Sequence, residues 1–133
     1  MEREFPRTIE SLRDAFDFVE EFFVRKGIDL SKKWIIDLAL DELFSNAVKH
    51  NPLGDGDILV RLIQQDDQLI LILTDFDSEF FDLTKAMPPN IQAPLHERQP
   101  GGLGLHLVKQ LVDDLHYEYR DRESKVTVIK SLR

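Results

Sequence analysis

The sequence predicts an α+β fold, a two-layer sandwich in which a mostly antiparallel, mixed sheet is covered on one face by three helices. Three observations lead there. Two windows with helical apolar spacing come first. Two pairs of short Ile, Leu and Val-rich segments follow, each pair joined by a polar turn, and a third helical window opens on a cluster of glycines. The order is helix, helix, hairpin, long loop, helix, hairpin.

Taking the elements in turn, Ile9, Leu12, Phe16, Val19 and Phe22 or Phe23 mark an amphipathic helix from Thr8 to Lys26, and Gly27 supplies its stop. Ser31 is the expected N-cap of a second helix from about Lys32 to His50, ended by Asn51-Pro52 and Gly54-Asp55-Gly56. Asp57 to Ile63 and Gln68 to Thr74 read as antiparallel strands across the polar stretch Gln64 to Asp67. From Asp75 to Pro100 no period is sustained, Pro88, Pro89, Pro94 and Pro100 recur, and the length far exceeds the usual connection of about 4 to 6 residues. Leu103, Leu107, Val108, Leu111 and Leu115 then mark the third helix. Strands Tyr117 to Arg120 and Val126 to Leu132 close the chain around the turn Asp121 to Ser124.

One domain over residues 1–133 is expected, since a single core serves about 100 to 200 residues. With 25 Asp and Glu against 17 Lys and Arg, the formal net charge is −8. Such a surface repels a phosphate backbone, and no basic cluster offsets it, so nucleic acid is not an expected partner. The lack of cysteine excludes disulfides, thiolate metal sites and thiol nucleophiles. The charged start Met1-Glu2-Arg3-Glu4 lacks the apolar run of a signal peptide, and no segment reaches the roughly 20 apolar residues of a spanning helix. A cytoplasmic protein with no membrane association is the expectation.

The second helix carries Ile35, Leu38, Ala39, Leu43 and Ala47 inward, and Glu42 and Asn46 fall on the same stripe. A carboxylate and an amide so placed ask for a ligand, a metal or an internal network, unless they reach solvent at the stripe's edge. His50, four residues on, reads either as a ligand or as a helix C-terminal residue favoured by the dipole. Pro100-Gly101-Gly102-Leu103-Gly104 leads into the third helix, where bare backbone amides and the helix N-terminus suit an anion; a merely flexible entry is the other reading. It matches neither a Walker A loop nor the dinucleotide fingerprint. Asp75, closing an apolar strand, would accept a hydrogen bond from an exocyclic amine such as adenine's, or would simply be solvated. Asp37, Asp41, Asp113 and Asp114 are assigned to solvated helix faces. The four His residues lack HxxxH or HxH spacing, which disfavours zinc, and no GxSxG elbow supports a serine hydrolase.

Together these motifs resemble the GHKL ATPases, the Bergerat-fold superfamily that includes gyrase, a heat-shock chaperone, histidine kinases and MutL, and in particular the bacterial anti-sigma-factor serine kinases. Phe5-Pro6 resembles the end of their first strand. Leu40-Asp41-Glu42-Leu43-Phe44-Ser45-Asn46-Ala47-Val48-Lys49-His50 resembles their N box, and Gly102-Leu103-Gly104-Leu105-His106-Leu107-Val108 resembles their last glycine box. The resemblance implies that Asn46 holds Mg²⁺, that Glu42 is the general base, and that Asp75 recognises the adenine amino group of ATP. It brings Lys49 and His50 to the phosphates. Asp77, Gly101 to Gly104, Leu105 and Thr127 complete the implied nucleotide site, and 76–100 becomes the ATP lid. The implied activity is transfer of the γ-phosphoryl group to a serine of an anti-sigma-factor antagonist of STAS type. Sequestration of a sigma factor and homodimerisation are implied too.

One position departs from the pattern. The family reads Asp-x-Gly after the adenine-binding aspartate, whereas this chain reads Asp75-Phe76-Asp77. Aspartate tolerates positive φ better than it tolerates close backbone approach, and it adds negative charge. The expectation is weaker nucleotide binding, or a non-catalytic partner-binding module on the same fold. A histidine-kinase catalytic half is disfavoured, because no helix pair with a phosphoacceptor His precedes the domain.

Overall fold

The structure, a computed structural model, describes residues 1–50, 54–78 and 102–133, in the last stretch with side chains from residue 104 onward. Most of the expected lid, the Asn51-Pro52 turn signal and Gly101 therefore lie outside the described residues. In chain order the elements are β1 (Glu2–Phe5), α1 (Leu12–Lys26), α2 (Lys33–His50), β2 (Ile58–Gln65), β3 (Gln68–Asp75), α3 (Gly102–Leu111), β4 (Asp114–Arg120) and β5 (Glu123–Ser131). The strands lie in the order β1-β2-β3-β5-β4, and every pairing is antiparallel, so the sheet is uniform rather than mixed.

Period-two alternation decides which face of the sheet is covered. Val60 and Leu62 of β2, Leu69, Leu71 and Leu73 of β3, and Val126 and Val128 of β5 are buried against the helices. Ile63, Ile70, Ile72 and Ile129, one register step away, are only half-buried on the opposite face. The helices contribute Phe18, Phe22 and Phe23 from α1, Ile36, Leu40, Leu43 and Phe44 from α2, and Leu105 and Val108 from α3 to a single core cluster.

Helix ends follow local chemistry. Gly27 takes φ 63° and ends α1 in the left-handed conformation, where its N–H meets the Phe23 and Val24 carbonyls. Ser31 is not the cap of α2. A short 3₁₀ turn, Leu30–Lys32, comes first, and the Asp29 side chain accepts from Ser31 N at 2.9 Å. α3 is shorter than its apolar spacing suggests, because Leu115 has already entered β4. Asp113 and Asp114 consequently lie off the helix. Asp113 accepts from Ser131 N and ties the start of β4 to the end of β5.

The inward stripe of α2 is rotated from the one read in the sequence. Ile36, Ala39, Leu40, Leu43 and Phe44 are fully buried, while Ile35, Leu38 and Ala47 pack at the margin. Asp37 is therefore not on a solvated face. Burial pushes its carboxyl up, against the pull of Lys33 Nζ at 2.6 Å. Phe44 sits at the centre of the helix that carries the candidate site, with none of its surface exposed. Replacing it with alanine is expected to cost about 3–5 kcal/mol in chemical denaturation, and a loss under about 1 kcal/mol would mean that α2 is not anchored by this core.

Candidate active site

A cleft opens where α2 meets the C-terminal end of β3. Leu43, Asn46, Ala47 and His50 line it from the helix, Leu73 and Asp75 from β3, Ser78 from the chain just beyond, and Tyr117, Ser124 and Val126 from β4 and β5. It holds about 410 Å³ of non-protein space, part of it open to solvent. Register explains the lining. Asp75 stands opposite Ser124, and Tyr117 opposite Val126, so residues of one parity on three strands meet the helix side together.

Glu42 and Asn46 follow each other on α2 at one helical turn, both half-buried, and neither side chain makes a hydrogen bond within the described residues. Glu42 faces α3. A Cβ added at Gly104 would lie 2.0 Å from Glu42 Oε1 and 2.2 Å from Cδ. Glycine at 104 thus lets the carboxylate rest against the first turn of the helix. Burial raises the Glu42 pKa, Asp41 adds to the rise, and Lys49 opposes it. A carboxylate held without partners and reluctant to ionise is suited to accepting a proton.

Asp75 is not solvated. It is 2% exposed and pairs with Arg7, whose Nη1 donates to Oδ2 at 2.9 Å and whose Nη2 donates to Oδ1. The Asp77 N–H donates to the same Oδ1 at 3.0 Å. Asp77 itself corrects the expectation placed on it. It avoids positive φ, it does not line the cleft, and its carboxylate turns to Asp55 N at 2.6 Å and to Arg122 Nε at 2.7 Å. The Asp55 hydrogen bond first, and then Arg122, hold its carboxyl below the usual carboxylate range. Ser78 N donates to Arg122 O at 2.8 Å, and Tyr119 Oη donates to Ser78 O at 2.9 Å, so the strand end is stitched to the β4–β5 turn.

The remaining expected site residues divide. His50 lines the cleft, while Lys49 is exposed on the last turn of α2 beside it. Gly102 and Leu103 open α3. Leu105 is a core residue, 6% exposed, that anchors α3. Thr127 lies between Val126 and Val128, both buried toward the helices, so it faces the other side of the sheet and is excluded from the cleft. Ser124 and Val126 line the cleft instead. Sequence reasoning missed these two and Tyr117, although hairpin parity would have found them. For Arg7 there was no signal, since its partner is 68 residues away.

Among the described residues no group of three or more His, Asp or Glu side chains could cage a metal. The side-chain oxygen of Asn46, at the cleft, is a donor that suits Mg²⁺, which binds few protein ligands and keeps water or phosphate oxygens around it.

One layer of helices over an antiparallel sheet, with the cleft at the seam between them, is the layout of a Bergerat-type ATPase domain. Comparison with known proteins agrees: residues 5–130 match the histidine kinase-like ATPase domain family, and the chain belongs to it. Within the GHKL group it resembles the anti-sigma-factor kinase subfamily. It is 28% identical over 123 residues to the serine/threonine-protein kinase BtrW of Bordetella bronchiseptica, covering 91% of this chain and 86% of that one. It is 31% identical over 94 residues to the serine-protein kinase RsbW of Listeria monocytogenes, covering 67% of this chain and 60% of the kinase. The fold is shared with part of a Mycobacterium tuberculosis chain that comprises RsbU and RsbW domains, at TM-score 0.68 and 18% identity over 98% of this chain and 32% of that one. It is also shared with one chain of the SiaB–SiaC complex of Pseudomonas aeruginosa, at TM-score 0.66 and 12% identity over 97% of this chain and 88% of that one. Among the described residues no helix is long and apolar enough to cross a membrane.

The raised Glu42 pKa has a thermodynamic consequence. The folded chain binds this proton more tightly than the unfolded chain, so Glu42 costs stability as pH rises from its ordinary value of about 4.5 through the raised folded value. Glu42→Gln does not titrate. Its stability relative to wild type is expected to rise across that window and to level off above it, measured as denaturation midpoints from pH 4 to 8. A difference that does not vary with pH would show that Glu42 is not desolvated.

Proposed function

We propose that this chain is an ATP-dependent serine/threonine protein kinase that acts as an anti-sigma factor by phosphorylating a STAS-type anti-sigma-factor antagonist. The observation that carries this reading is the Glu42 carboxylate, unpartnered among the described residues, set against Gly104 and one turn from Asn46, which lines the cleft. An ATPase that only bound its nucleotide would have no use for a carboxylate kept basic at this point. The kinase names of BtrW and RsbW support the reading, as does a partner-bound neighbour in SiaB–SiaC.

In this reaction a substrate serine Oγ attacks the γ-phosphorus of ATP, the bond to the β–γ bridging oxygen breaks, ADP leaves, and the serine proton passes to Glu42. Asn46 would hold Mg²⁺, which neutralises triphosphate charge when bound. Lys49 adds positive charge and His50 a ring nitrogen at the phosphate end of the cleft, and the amides opening α3 suit an anion there. Asp75 serves the adenine amino group. Binding of a sigma factor, homodimerisation and a cytoplasmic setting belong to the same proposal by kinship.

The test is phosphotransfer from labelled Mg²⁺·ATP to purified STAS-domain proteins of the same genome, alongside calorimetric ATP binding. Wild type is expected to yield phosphoserine on one of them. Glu42→Gln is expected to lower the rate roughly 10²- to 10⁴-fold while retaining ATP binding, and Asn46→Ala to abolish Mg²⁺-dependent binding. ATP binding without phosphoserine on any of these proteins would sink the kinase assignment.

Gly104→Ala gives a further prediction. Because the three atoms nearest to the added methyl all belong to the flexible end of Glu42, the variant is expected to fold with a melting temperature near wild type yet to lose transfer much as Glu42→Gln does. Full activity in Gly104→Ala would show that the Glu42 position is not needed for the chemistry.

A further inference from the structure

Arg7 is a lone cation after Phe5-Pro6, and its side chain is 6% exposed against 2% for its partner Asp75. Placement explains how the two meet. Phe5, Ile58 and Asp75 stand in line across β1, β2 and β3, so Arg7, just past the end of β1, must span two strand spacings, roughly 9 to 10 Å, to reach the carboxylate. A long side chain with a rigid two-pronged head does this. An ionised carboxylate offers about four acceptor positions, two on each oxygen. Arg7 Nη2 and Asp77 N fill Oδ1, and Arg7 Nη1 takes one position on Oδ2. Among the described residues one acceptor position on Oδ2 is left, on a side chain that lines the cleft.

We propose that Arg7 is the positioning residue of a base subsite: by pairing with both oxygens of Asp75 it leaves one fixed acceptor, on Oδ2, for an exocyclic amino group, and so selects a 6-aminopurine nucleotide over a 6-oxopurine one. The inference rests on the ATP-binding reading above and adds to it the residue that sets base selectivity. A buried carboxylate without a cation would be protonated or would turn to find a donor, and either change would let it accommodate a base carbonyl. Paired with the guanidinium and held in one orientation, it presents an acceptor. A 6-oxo group then meets it acceptor to acceptor, which rejects the wrong base through an unfavourable contact as well as a missing favourable one. The Arg7 contact to Asp55 O at 3.4 Å and the Asp77 contact to Asp55 N at 2.6 Å steady the pair from the β2 side.

The experiment is calorimetric titration of the full chain with Mg²⁺·ATP and with Mg²⁺·inosine triphosphate, comparing wild type, Arg7→Lys and Arg7→Ala. Arg7→Lys keeps the charge but loses the fork, which protects folding where Arg7→Ala would strand a buried carboxylate. Wild type is expected to prefer ATP. In Arg7→Lys, ATP affinity is expected to fall roughly tenfold or more while inosine triphosphate affinity holds, so that the preference collapses. A merely structural arginine would weaken both nucleotides alike, and that result overturns the proposal, as does a preference that survives in Arg7→Lys. If wild type binds neither nucleotide, the ATP-binding reading falls and the assignment of Arg7 falls with it; if wild type binds and prefers ATP, only the role of Arg7 is at stake.

Discussion

The central strand of the sheet ends in a buried charge, and much of the site is arranged around that fact. β3 lies third of five strands, and Asp75 at its end is 2% exposed. An isolated ionised carboxylate in such a place is untenable, and removing the partner of a buried pair typically costs about 3–5 kcal/mol. The chain must therefore bring a cation from somewhere. It brings Arg7 from beyond β1, which in turn requires β1 to pair with β2 in the observed register. A weak edge strand of four residues is thereby coupled to the middle of the sheet.

The same constraint organises the segment after β3. Asp77 N donates to Asp75, its carboxylate bridges Asp55 and Arg122, and Ser78 joins the β4–β5 turn. In the family pattern a glycine occupies position 77 because the backbone needs freedom there. Here the backbone takes an ordinary φ, and the side chain does a different task, clamping the loop before β2 to the turn at Asp121 and Arg122. The departure from Asp-x-Gly is thus accommodated by rerouting the carboxylate rather than by opening the cleft to it.

Helix periodicity and turn chemistry made the element order readable, because apolar spacing in α1 and the polar turns of both hairpins are local signals. Glu42, Asn46, Asp75 and Gly104 could be singled out for the same reason: each breaks a local pattern. What could not be read was whatever depends on long-range register. Ile36, Leu40 and Phe44 displaced Ile35 and Leu38 from the centre of the core because the rotation of α2 is fixed by packing against α1, α3 and β3. Thr127 matched a motif yet has the wrong strand parity, and Leu115 continued a helical spacing that the β4–β5 pairing interrupts. Arg7 lies farthest from any local signal.

Composition alone presents a difficulty, since a chain of net charge −8 is a poor host for a triphosphate. The site's geometry removes much of that difficulty locally. Asp75 is neutralised by Arg7 and Asp77 by Arg122, while the last turn of α2 ends in Lys49 and His50. Glu42, one turn from Asn46, makes no side-chain hydrogen bond within the described residues, and its desolvation favours the protonated form. The negative charge that composition advertises is thus paired where a base would bind and unpaired where a proton acceptor would act. A site can be acidic by count and still present, residue by residue, the field that phosphoryl transfer requires.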